Sequence, residues 1–285
     1  MVALPAAAAF LIEFPFYLLP GFLDSGVFGR FRGPGALAVS CIVPYLVYSL
    51  PTGEFRLPGF ALLLLIAVLL SYWYRLLPAS GWADALFLAL AASVLLFKVN
   101  DRIYLSPLPK VPFSTLGHLM LIRTCAIAVL VFRGGVDAEF RFVPTGAEIR
   151  AGLKWFALML PVVGATLWGL GLWNLRPNPN VWAGLGQFFG ILWVVALSEE
   201  FFFRGLLQKW MEDWTRSSTP ALVLTSILFG AVHLGFNHIF PNWRFAIAAG
   251  GLGLFSGLCW RETRSVQASM VTHAIGATVY RVFFQ

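Results

Sequence analysis

The sequence predicts an all-α protein, a polytopic transmembrane helical bundle of about eight to ten spanning helices. Two observations carry that expectation. Of the 285 residues, 59% are hydrophobic and only 12% charged, and mean hydropathy is +0.79, far from an ordinary soluble domain. The apolar residues are also gathered into runs close to the roughly 20 residues that a spanning helix needs.

The runs can be taken in order. Residues 3–22 carry Glu13 and Pro15 and lack a small-residue cleavage site after a basic segment, which marks a retained helix rather than a signal peptide. Residues 35–50 form a second run. Residues 58–77, 82–97, 116–132, 153–173, 182–203, 220–236, 245–260 and 265–284 supply the eight that a conservative count retains. Eleven tryptophans, among them Trp73, Trp82, Trp173, Trp182, Trp193, Trp243 and Trp260, sit near run ends as interfacial anchors do. Gly250, Gly251, Gly253 and Gly257 permit close helix approach, and no strand precedes them to make a nucleotide loop.

The formal net charge is +7, and in a membrane protein the placement of the cations matters more than their sum. On a ten-helix count the odd-numbered loops hold twelve lysines and arginines against seven opposite, which places odd loops in the cytoplasm and both termini outside. Anionic headgroups are the near partner for these cations, so the lipid bilayer accounts for them and no nucleic acid is expected. Cys41, Cys125 and Cys259 stand alone in apolar runs and read as packing residues.

Polar, proline- and glycine-bearing stretches at 98–112 and 133–150 flank one helix. They divide the chain into N-terminal helices, residues 1–150, whose role the sequence leaves open, and a functional core, residues 151–285.

That core holds "ALSEEFFFRGLLQ", residues 196–208, with two adjacent carboxylates and an arginine in an otherwise apolar run. A continuous helix from about 182 to 212 puts Glu199 roughly 25 Å from its start, at 1.5 Å per residue. A carboxylate at such depth costs at least ~2.5 kcal/mol, so it needs a partner or a water-filled cavity. Glu200 and Arg204 lie i, i+4 on one face and form a ready ion pair, while Glu199 points about 100° away. His233 and His273 follow in later apolar helices. A glutamate and a histidine on facing helices are the elements of a general base for water. A second histidine can hold a developing oxyanion. The same residues also suit a buried polar network that only locks helices together.

Three motifs occur in order: Glu199-Glu200-Phe201-Phe202-Phe203-Arg204 as EExxxR, Phe229 to His233 as FxxxH, and His273 on a further apolar segment. Together, over about residues 182–280, they resemble the CPBP family of intramembrane proteases, which includes the CAAX prenyl endopeptidases and many bacterial relatives. The resemblance implies an endopeptidase with Glu199 as the catalytic glutamate that polarises water, His233 sharing that task, Glu200 and Arg204 supporting them, and His273 binding the oxyanion. It implies that Phe229 packs beside the site. It further implies a membrane or exported peptide as substrate, and the inner (cell) membrane of a bacterium as location.

One departure stands out. The family continues its last motif as HxxxN, and here that position is Ala277. The missing donor is expected from Asn237, Thr272, Thr278 or a backbone amide, or activity is reduced. The resemblance favours a mechanism without metal or other cofactor. The alternative is zinc bound by Glu199, His233 and His273, a His2Glu set with an open water position, although the sequence has no HExxH. Two other readings compete with hydrolysis. A proton-coupled transporter also uses buried glutamates and histidines, but it predicts matching halves, and a catalytically weak scaffold would accommodate Ala277. His118 reads as interfacial or packed, and His238 and Asn242 as loop residues positioned to gate entry.

Overall fold

The computed structural model describes residues 2–25, 33–109, 111–136, 138–176, 180–236 and 239–284. The protein is helical, with no strand among the described residues. The helices are α1 Ala3–Leu18, α2 Pro34–Thr52, α3 Leu57–Leu76, α4 Gly81–Leu96, α5 Val99–Ile103, α6 Ser114–Arg133, α7 Gly146–Gly169, α8 Val181–Thr215, α9 Ser218–Ala231, α10 Trp243–Thr263 and α11 Val266–Phe283. Apart from the short α5, each corresponds to one of the ten apolar runs. Six helices are long and apolar enough to cross a membrane by length and composition: Ala3–Phe22, which prolongs α1, together with α2, α3, α6, α7 and α8. α4 and α9 are shorter apolar helices of 16 and 14 residues. α10 and α11 have the length but carry polar residues, among them Gln267, Ser269, Thr272 and His273, turned into the protein.

Contacts divide the chain into two compact units, residues 1–136 and 137–285. The first is built around charges that its own helices neutralise. Arg123 of α6 is fully buried, pairs with Glu13 of α1, and donates to Ser40 Oγ at 2.8 Å and to the Ser40 carbonyl at 3.0 Å on α2. A guanidinium has five donors in a rigid fork, so one side chain ties three helices together. Arg133 similarly forks onto Asp84, with both contacts at 2.7 Å, and Tyr74 donates to the same carboxylate at 2.9 Å.

The second unit carries the candidate site. Its helices start where the chain supplies caps. Thr145 and Glu148 form a reciprocal capping box on α7, and Asn180, Asn242 and Ser265 each accept from an amide in the first turn of α8, α10 and α11. α11 packs against α7, α10 and α8, and residues 266–274 on it are buried without a break. α9 lies along α10, where glycines permit the contact. A Cβ on Gly253 would lie 3.1 Å from three atoms of Phe229, and one on Gly250 would lie 3.5 Å from the Ser226 carbonyl. The preceding loop is pinned to this unit. Arg141 binds Glu148 at 2.8 Å, Gln267 donates to the carbonyls of Glu139 and Arg141, and Trp193 donates to that of Phe142.

Candidate functional site

α8 is the element that brings charge into this unit. It runs without proline for 35 residues, about 52 Å at helical rise, and Glu199 lies 18 residues from its start. The helix is not uniform. Residues Ile191–Ala196 and Phe201–Gln208 wind as π-helix, on either side of the single α-turn that carries both glutamates. Glu200, Arg204 and Gln208, spaced four apart, form one hydrogen-bonded file, all fully buried: Arg204 Nε donates to Glu200 Oε2 at 3.0 Å, and its Nη1 donates to Gln208 Oε1 at 3.2 Å.

Glu200 has a second partner that the sequence did not signal. Its Oε1 lies 2.8 Å from His273 Nδ1 on α11. Arg204 already holds Oε2, and Oε1 as a carboxylate oxygen accepts, so Nδ1 carries the proton and Nε2 is left for the site. That Nε2 stands 3.9 Å from Glu199 Oε2. Glu199 differs from its neighbour in access as well as direction. Its side chain is 30% exposed, whereas Oε2 itself is buried and has no partner among the described residues.

His233 comes from the other side of the site. It lies in the turn that closes α9 rather than on the helix expected over 220–236, because the helix ends at Ala231. Its Nδ1 is 2.8 Å from the Phe229 carbonyl, an acceptor, so again Nδ1 carries the proton and Nε2 remains open. Phe229 joins the parts. Its buried ring packs against His233 with 5.0 Å between centroids, meets His273 edge-on at 5.6 Å, and lies under the Arg204 guanidinium at 5.5 Å. Glu199, Glu200, Arg204 and His273 are thus in one contact cluster, and His233 joins it through the phenylalanine rather than by a direct bond.

The substitutes proposed for an asparagine at 277 are reduced by this geometry. Thr272 is fully buried and donates to backbone carbonyls, that of Gly152 at 3.1 Å among them. Thr278 borders an apolar groove with Val181, Gly184 and Leu185, and its hydroxyl is buried with no partner among the described residues. Asn237 and His238 lie outside the described residues. Asn242 serves as the α10 cap and donates to the Phe236 carbonyl, so its side chain is committed to structure. Among the described residues no three His, Cys, Asp or Glu groups converge closely enough to hold a metal ion.

Residues 180–279, from the cap of α8 to the last turns of α11, match the family model described as type II CAAX prenyl endopeptidase Rce1-like. No curated protein and no solved structure matches the chain.

Proposed function

We propose, from the match of residues 180–279 to the type II CAAX prenyl endopeptidase model and from the geometry of the site, that this chain is an intramembrane endopeptidase of the CPBP, or CAAX-protease-like, kind that uses a glutamate-activated water. The observation that carries the reading is the division of labour between adjacent carboxylates. Glu200 is neutralised by Arg204 and fixes His273 through Nδ1, and this leaves Glu199, partly exposed, beside His273 Nε2. A buried lock would satisfy both carboxylates. Here one is held and one is left with an unpartnered oxygen.

The chemistry follows from these placements. Glu199 takes a proton from water as the oxygen attacks the peptide carbonyl, with His233 Nε2 as the second acceptor that aligns that water. His273, when its ring carries both protons, donates from Nε2 to the oxyanion of the tetrahedral intermediate. Glu199 then returns its proton to the leaving amine as the C–N bond breaks, so protons balance and no covalent enzyme intermediate forms. No step needs a metal in this reading. The substrate is a membrane-associated peptide, unprenylated if the host is a bacterium, with the inner membrane as the site of action.

A direct test incubates the purified protein in lipid nanodiscs with a pool of prenylated and unmodified membrane peptides, followed by mass spectrometry of new termini. Cleavage that survives a strong zinc chelator supports the proposal. Loss on chelation with recovery on added zinc would overturn the metal-free step. Proton flux in proteoliposomes without any cleavage would favour the transporter reading.

A further inference from the structure

The file of polar side chains on α8 continues one turn past Arg204, to Gln208. Gln208 is fully buried, accepts from Arg204 Nη1 at 3.2 Å, and donates from Nε2 to the Gly257 carbonyl of α10 at 3.4 Å. Position 257 has to be small. A Cβ there would meet a Leu222 methyl and would lie 2.9 Å from Gln208 Oε1 and 3.2 Å from Arg204 Nη1. The plane of a guanidinium is fixed by two bonds and not by one, and Arg204 has few: Nε to Glu200, Nη1 to Gln208, while Nη2 is buried with no partner among the described residues. Without Gln208 the group could turn about its bond to Glu200.

We infer that Gln208 and Gly257 are positioning residues for the hydrolysis: they fix the plane of Arg204 and so, through Glu200, the direction of His273 Nε2. The chain of contacts runs from the α10 backbone through Gln208, Arg204 and Glu200 to the His273 ring, each link within hydrogen-bond distance. Its kinetic consequence rests on the proposed hydrolytic reading, and its geometry does not.

Three variants test it. Gln208→Met keeps length and removes both hydrogen bonds, Gln208→Glu keeps the acceptor for Arg204, and Gly257→Ala pushes on the pair from α10. Two readouts are needed: kcat and KM across pH on any cleaved peptide, and, with no substrate, the titration of the His273 ring nitrogens by 15N NMR, assigned against His273→Ala. The expected result is a loss of kcat of about tenfold for Gln208→Met and Gly257→Ala with KM within about twofold, recovery of most of that loss in Gln208→Glu, and a displaced His273 titration in the first two. A Gln208→Met protein whose His273 titration and pH–rate profile superimpose on those of the wild type overturns the inference, even if its melting temperature has fallen. If the His273 titration moves while the wild type cleaves nothing, positioning stands and the hydrolytic reading fails.

Discussion

Glu200 has no exposed surface and accepts from both Arg204 and His273, so it cannot lose one partner cheaply. Arg204→Ala strands this carboxylate, and removing one member of a buried pair costs ~3–5 kcal/mol. Thermal unfolding in detergent should show a protein that expresses poorly or melts well below the wild type, and normal melting with normal turnover would mean that the pair is incidental. Ala277, one turn beyond His273 on the same face, is the complementary case. Because Thr272 is engaged with backbone carbonyls, Ala277→Asn adds an amide donor one turn from His273. It should raise kcat with KM little changed, since the benefit appears only as charge develops. A slower variant would mean that the space is already filled. Spacing alone made the Glu200–Arg204 pair legible in the sequence. The Glu200–His273 bond joins residues 73 apart, and no periodicity within one helix reports which residue on another helix it faces. Gln208 was within reach of sequence reasoning as the third member of a four-residue polar spacing in an apolar run.

At the scale of elements, α8 was expected as one unbroken helix over about 182–212, and Val181–Thr215 agrees because no proline interrupts it. Its two π-helical stretches were not legible, since wide turns leave no mark in a pattern read with a single period. The end of α9 was placed too late for a related reason. Apolar residues continue through Phe236, whereas the backbone turns after Ala231 and sets His233 in a turn. The α10 glycines were read as permitting close approach, and Gly253 shows the use made of it. Its missing side chain leaves room for Phe229 to pack against both imidazoles and Arg204. Gly253→Val should displace that ring and lower kcat on the order of 10²-fold, the scale of a small misplacement in a preorganised site. Far-ultraviolet circular dichroism should stay helical, and undiminished turnover would show that Phe229 is a bystander.

The whole molecule is two compact units, each with its own buried charges. Composition was enough to assign the class, because 59% hydrophobic residues gathered into spanning-length runs leave little but a helical membrane protein. It could not show that Glu13 and Arg123 form the buried centre of residues 1–136, since 110 positions separate them. Arg123→Met should leave Glu13 buried and unpaired at a cost of ~3–5 kcal/mol, seen as a lower melting temperature in nanodiscs. An unchanged melting temperature would mean that water reaches the pair. The central claim concerns Glu199, and one measurement bears on it most directly: the single-turnover cleavage rate of Glu199→Gln beside the wild type, in nanodiscs, with both proteins shown to be folded. Glutamine keeps the shape and cannot take the proton, so the account predicts a rate lowered by roughly 10²- to 10⁴-fold, the usual contribution of a general base. A Glu199→Gln protein that cleaves at the wild-type rate would contradict it.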